Sequence, residues 1–394
     1  MAARTTVAID TRDLKKGDTG TYTYLKELCN EFKKQEGEVA YVFVNYWLPV
    51  YKGKNIVGKI TEHILFTIWK QLILPIYCIV YKPDVLFCTD YFLPLVKLST
   101  KKVVVFHDTF FYEQPEHYNS LWLKTFHWFA VKAAHKASQI IVPTHYVKNR
   151  LAFYMPLVKE KITVVYEGPK SFNKKQDKAW EEKISGWLNG SNYILHVGTL
   201  DHRKNLVRLV EAYDILLKNT KTENSKSFNE QENPTSLATI KLIIAGDSPT
   251  YAGSNGKADL IAAINKLGLQ KEVLLTGRIT DTQLSYLYQQ ANAYVFPSLN
   301  EGFGLPLVEA MQYQVPTAAA NNTALTEVGA DAAIYFDPRD TKQMAAQIEL
   351  LLNDQTIRTQ LKKAAQDRMK IFNWKHASET ISGVFIKLKE GAIG

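Results

Sequence analysis

The chain has 394 residues, 46% hydrophobic and 22% charged, proportions of an ordinary globular protein that exclude a mainly disordered or fibrous chain. Three cysteines (Cys29, Cys78, Cys88), none in a C-x-x-C pair, exclude a disulfide scaffold and a cysteine zinc site, and they fit a reducing cytosol. The net charge of +9 lies almost wholly in residues 1–170, where 23 Lys/Arg face 15 Asp/Glu; nucleic acid, an anionic membrane surface or an acidic small molecule stand as partners beside a merely solvated basic face.

Thr5–Asp10 reads as a strand, with no signal peptide before it, and Tyr22–Lys34 as a helix. Between them Gly17-Asp18-Thr19-Gly20-Thr21 is a flexible loop that opens the helix. Ala40–Asn45 is a strand. His63–Tyr81 is the most apolar stretch; Lys70, Gln71 and Pro75 interrupt it, so no unbroken run reaches the ~20 residues of a spanning helix. It reads either as a buried helix or as one lying on a bilayer. Val85–Cys88, Val103–Phe106, Gln139–Pro143 and Lys161–Val165 are further strands, with a helix over Leu121–Ala137. Strands apolar throughout, separated by helices, predict a parallel sheet covered on both faces.

The pattern then restarts. Strands are predicted at Tyr193–Val197, Ile240–Ala245, Val273–Thr276, Ala293–Phe296, Thr317–Ala320 and Ala333–Phe336. Helices are predicted at Asn205–Lys218, Ala258–Leu267, Asp281–Gln290, Leu305–Tyr313 and Met344–Phe372, with an amphipathic helix after Trp374. Thr220–Ser236 is polar and reads as a surface loop. The expected fold is α/β, two doubly wound Rossmann-like domains facing across a cleft. The two domains are read as residues 1–170 and 171–372, followed by the C-terminal helix over 373–394.

The most informative segment is Pro297–Glu309, PSLNEGFGLPLVE. A strand, a two-glycine loop and a helix with Pro306 in its first turn form an anion cradle, because free N–H groups and the helix dipole favour phosphate. Glu301 and Glu309 flank the cradle, and ionised carboxylates suit sugar hydroxyls. The segment resembles the E-x7-E signature of the retaining glycosyltransferases of family 4, which have the GT-B fold. GTLDHRKNL (Gly198–Leu206), LIIAGD (Leu242–Asp247), LTGRITDTQL (Leu275–Leu284), DTRDLKKGDTGTYTY (Asp10–Tyr24), WKQLILP (Trp69–Pro75) and VVVFHD (Val103–Asp108) look like that family in order and spacing.

The resemblance implies roles: residues 1–170 would bind the acceptor, 171–372 the donor, and the helix over 373–394 would cross back to the first domain. Glu301 would hold hydroxyls of the transferred sugar and Glu309 the ribose diol. Phe303, Gly304 and Leu305 would offer backbone N–H groups, with Gly302 in the same loop. Arg203 and Lys204 would neutralise the departing diphosphate. Gly198, Thr199, Gly246 and Ile279 would line the donor, and Arg278 would face the base or solvent. Many family members carry Arg where this chain has Thr199. Gly20 would lie over the diphosphate and His107 would contact the donor sugar, while Asp108 orients its neighbours.

No metal constellation is read, no cofactor is expected, and transfer would be metal-independent. GDP-mannose leads as donor, with UDP-sugars open. The acceptor would be a saccharide or a lipid-linked saccharide at the inner membrane face, met by a cytoplasmic or peripheral enzyme. No nucleic-acid motif is found. A UDP-GlcNAc epimerase of the same fold and a non-catalytic sugar-nucleotide or nucleic-acid binder are the alternatives.

Overall fold

The structure is a computed structural model. It describes all residues except 1–3, 16, 18, 46–47, 52–55, 118–119, 173–174, 227–239, 249–255 and 393–394. The chain forms two compact units: Met1–Lys170 with Phe372–Gly394, and Ser171–Ile371.

The first unit holds a six-stranded sheet. Its strands are β1 (Thr5–Asp10), β2 (Val39–Val44), β3 (Val85–Cys88), β4 (Lys101–Val105), β5 (Gln139–Val142) and β6 (Ile162–Val164), in the order β2-β1-β3-β4-β5-β6. Every pairing is parallel. The helix Trp374–Lys389 completes this unit. Trp374 donates its indole N–H to the Pro169 carbonyl at 2.7 Å, and Phe385 packs against Phe32 and Phe87.

The second unit repeats the plan with β7 (Tyr193–Val197), β8 (Lys241–Ala245), β9 (Val273–Gly277), β10 (Ala293–Phe296), β11 (Thr317–Ala320) and β12 (Ile334–Phe336). Its order is β12-β11-β10-β7-β8-β9, all parallel. The chain winds outward from β7 in one direction and from β10 in the other. The crevice at the carboxyl ends of those two neighbours is the topological switch point, where such sheets bind ligands.

Three helical expectations need correction. The apolar stretch is not broken: Ile56–Ile68, a π-helical turn at Trp69–Ile73 and Leu74–Tyr81 follow without a gap. Pro75 fits because it directly follows the π-helical turn, where Leu74 N–H already reaches back to the Trp69 carbonyl and the regular ladder is interrupted. The helix after β7 begins at Leu206 and runs to Lys226, since Asn205 takes a left-handed conformation (φ 59°) just before it. Residues 227–236 of the expected loop lie outside the described residues. Met344–Phe372 is two helices, Thr341–Asn353 and Gln355–Met369, divided at Asp354, whose carboxylate caps the second.

Candidate functional site

The switch point of the second sheet gathers the second-half residues singled out in the sequence. β7 ends at Val197, and a short turn follows in which Asp201 caps His202–Lys204. β10 ends at Phe296, and its loop carries Asn300 and Glu301 into the helix Leu305–Gln312. The two loops are tied together. Leu299 N–H donates to the Arg203 carbonyl at 2.8 Å, and Asn205 donates to the carbonyls of Pro297 (3.1 Å) and Pro338 (2.7 Å).

Within this frame Glu301 bridges both cations. Lys204 Nζ lies 2.5 Å from Oε1, and Arg203 Nη1 lies 3.0 Å from Oε2. Arg203 also donates to the Asn300 carbonyl at 3.0 Å, and its other nitrogen is 3.6 Å from Asp201. Glu301 and Lys204 are buried. Burial alone would raise the Glu301 pKa, but Lys204 and then Arg203 outweigh it and hold the carboxyl at about 2. Burial, aided by Arg203, lowers Lys204.

Glu309 is buried on the helix, and Tyr288 donates its hydroxyl to Oε2 at 3.0 Å. Gly304 supplies the left-handed residue before that helix (φ 98°); a Cβ there would lie 2.9 Å from Leu325 and 3.2 Å from the Phe296 ring. Gly302 and Phe303 are buried in the same loop and Leu305 opens the helix. Gly198 directly follows β7 and faces Gly246, which a hydrogen bond joins to Gly277 (Gly246 N–H to the Gly277 carbonyl, 3.1 Å). Thr199 is exposed and donates to Asp201 at 2.6 Å. Arg278 is exposed and Ile279 half-buried beyond β9; Lys257, and more weakly Arg278, keep the Asp247 carboxyl below its ordinary range.

Two residues join this constellation without having been singled out. His196, within β7, is fully buried; its Nδ1 bonds the Val295 carbonyl at 2.9 Å and its Nε2 has no partner. Burial lowers it to about 4, so the ring is neutral beside Lys204. In the sequence it is one more residue of an apolar strand, and nothing marks it. Tyr288 is likewise a buried helix residue whose hydroxyl could be assigned only once Glu309 was placed opposite it.

His107 and Gly20 belong to the first unit. Gly20 opens the helix Gly20–Phe32, capped by Thr19; Asp18 lies outside the described residues. His107 Nε2 lies 2.8 Å from the Thr89 carbonyl and Nδ1 3.7 Å from Glu167. Both ring nitrogens thus face acceptors. Burial opposes the charged form, but Glu167 outweighs it and the pKa is raised. The sign follows: the ion pair stabilises this unit fully below the unfolded value of about 6.5 and is lost as pH rises through the higher folded value. Denaturant midpoints of wild type should therefore fall with alkaline pH more than those of His107→Gln; identical profiles would refute the pairing.

Residues 177–368 match the family model Glycosyl transferases group 1, and residues 19–169 match Glycosyltransferase Family 4. The chain is 31% identical to O-antigen chain mannosyltransferase B of Escherichia coli over 192 residues, 48% of this chain and 45% of that protein. It thus spans under half the length of that relative. Among solved structures, sucrose-phosphate synthase from Thermosynechococcus elongatus matches with a TM-score of 0.73 at 15% identity, covering 98% of this chain and 100% of that one. Anabaena HepE in complex with UDP-glucose matches with a TM-score of 0.65 at 17% identity, covering 97% and 99%.

Proposed function

We propose that this chain, a two-domain GT-B glycosyltransferase, transfers a hexose from a nucleotide diphosphate sugar to a saccharide or lipid-linked saccharide during surface polysaccharide assembly. Mannose leads as the sugar and GDP-mannose as the donor, because a relative acting on O-antigen is a mannosyltransferase. UDP-sugars stay in the test, since a protein of like fold holds UDP-glucose.

One observation carries the reading: two cations clamp one buried carboxylate at the switch point, beside the start of the helix Leu305–Gln312. In this reading Arg203 and Lys204 take the donor diphosphate and stabilise the charge that gathers on it as the glycosidic C–O bond breaks. Arg203 offers a planar fork and Lys204 a point charge. Glu301 turns to hydroxyls of the transferred sugar, and Glu309 receives the ribose diol while Tyr288 fixes its orientation. Gly302, Phe303, Gly304 and Leu305 present backbone to the donor, and Gly198, Thr199, Gly246, Arg278 and Ile279 border it.

Retention follows in this reading from front-face attack. The acceptor hydroxyl gives its proton to the leaving phosphate oxygen, and the new bond forms on the face the leaving group vacates. In the unloaded site Lys204 and Arg203 hold the Glu301 carboxyl at about 2, so it meets the donor as a carboxylate suited to accept from sugar hydroxyls. Charge neutralisation falls to Arg203, Lys204 and the helix start, without a metal. The enzyme would act at the cytoplasmic side of the membrane.

Incubation with GDP-, UDP- and ADP-sugars, reading released nucleotide and donor-induced thermal shift, tests the donor. NMR of the product anomer tests retention, and activity in chelator tests metal independence. No shift and no release with any donor would overturn the reading.

A further inference from the structure

The helical run from Ile56 to Tyr81 in the first unit is two-sided. Trp69, Lys70, Leu74 and Cys78 are buried. Trp69 donates its indole N–H to Asp10 at 2.8 Å, and Lys70 binds Asp10 and Asp90 at 2.6 and 2.5 Å. These contacts fasten one side to the carboxyl ends of β1 and β3. On the other side Ile60, Ile64, Leu72, Ile76, Ile79 and Val80 are 54–63% exposed. Six large aliphatic side chains along one helical run are far more than the scattered apolar residues of a normal surface. By length and composition Ile60–Tyr81 could cross a membrane, but its packed side is held to the sheet, so it is placed to lie in an interface rather than to span.

A basic hollow adjoins it. Lys97, Lys101, Lys102 and Lys136, with Thr100 and Ser138, line an open depression of about 370 Å³ at the amino end of β4. Among the described residues no carboxylate forms an ion pair with any of these lysines. The helical run and the hollow are both fastened to the segment Leu93–Val96. Gln71 is bonded to the backbone of Leu93 and Leu95 (3.0 and 2.9 Å), and Lys102 donates to the carbonyls of Pro94 and Val96 in the same segment (3.0 and 3.2 Å). Cys78 on the helix neighbours both Thr100 and Lys102. Lys82 follows the helix, exposed, and Val96 is exposed beside Lys97.

We propose that this face docks the protein on an anionic bilayer, the aliphatic stripe entering the headgroup–acyl boundary and the lysine hollow taking lipid phosphates. The pairing is the one such surfaces need: apolar area supplies partitioning, and clustered lysines supply attraction to negative headgroups within a Debye length. The charge imbalance of residues 1–170 has the matching sign. The proposal does not depend on the sugar chemistry, because binding is read without donor or acceptor.

The test is flotation of the full chain with vesicles of phosphatidylcholine alone or with phosphatidylglycerol. Wild type should float with the anionic vesicles and be released by high salt. Ile76→Asp/Ile79→Asp should weaken binding about tenfold or more, and Lys101→Gln/Lys136→Gln should reduce it to the level on neutral vesicles. Hydrogen exchange of the wild type, which needs no variant, should show residues 60–81 protected only when anionic vesicles are present. Wild type remaining unbound at low salt, or both variants floating like wild type, would overturn the proposal. So would a wild-type dimer that Ile76→Asp/Ile79→Asp converts to monomer, which would assign the stripe to a second copy of this chain.

Discussion

Lys204→Ala should lower turnover by about 10²–10³-fold, the usual loss when one preorganised group facing developing charge is removed. Among the described residues the other cation at Glu301 is Arg203, which is already held at Oε2. The Lys204 ammonium is buried, 2.5 Å from Glu301 and 5.1 Å from the Phe296 ring, so water cannot substitute for it without opening the loop. Removing it also leaves Glu301 buried with Arg203 as its remaining cation. The stability loss should be about 2 kcal/mol, below the ~3–5 kcal/mol of a wholly orphaned buried charge, because Arg203 stays at Oε2. Glu301→Gln separates the two effects: it keeps the shape and both cations while removing the charge that receives them. Measured kcat with a fixed donor and urea midpoints for both variants decide the matter. Full turnover by a folded Lys204→Ala protein would remove the lysine from the chemistry.

Gly246→Ala should destabilise the second unit by about 4 kcal/mol or more, among the largest effects of any single substitution in the chain. A Cβ at this position would sit 1.8 Å from the Gly198 carbonyl oxygen, and the backbone there has φ 144°. Neither strain can relax alone. The ends of β7, β8 and β9 are locked by hydrogen bonds from Gly198 to Ala245 (3.0 Å), Leu200 to Asp247 (3.0 Å) and Gly246 to Gly277 (3.1 Å). Relieving the clash means parting β7 from β8 where Arg203 and Lys204 are positioned. Gly277→Ala is the control: a Cβ there meets nothing within 4 Å, so only its left-handed φ of 67° is penalised, by about 1–2 kcal/mol. Denaturant midpoints of the two variants should differ clearly; a wild-type midpoint for Gly246→Ala would show that the close approach is not real.

The strands were legible because parallel strands buried on both faces leave runs such as VLFC and AYVF with no polar interruption. Thr5–Asp10, Val85–Cys88, Tyr193–Val197, Ala293–Phe296 and Thr317–Ala320 fall on the predicted residues, and the others differ by one or two. Helix ends were less legible. Asn205 stops one turn and starts the next only because two distant carbonyls, at Pro297 and Pro338, receive its amide, and neither is local in sequence. The π-helical turn had no local signal either, since Lys70 and Pro75 look like breakers until Asp10 and Asp90 are placed opposite the lysine. In the site, the Pro297–Glu309 segment stood out by residue type and spacing, whereas Arg203-Lys204 stood out only through the family resemblance. What the sequence could not supply was their pairing through Glu301, which comes from a strand order that puts β10 beside β7.

The π-helical turn at Trp69–Ile73 has a bearing on the length of the helix that contains it. An α-helix turns by about 100° per residue, so twelve further residues would leave Ile76 roughly 120° away from Ile64 around the axis. A wide turn absorbs one residue's worth of that rotation, which returns Ile76 and Ile79 to the azimuth of Ile60 and Ile64. Inserting one further residue between Trp69 and Ile73, beyond the one that the wide turn absorbs, should therefore swing the downstream segment by about 100°. Ile76 would then turn toward the sheet and Cys78 toward solvent, and a thiol reagent that cannot reach Cys78 in the wild type would label it.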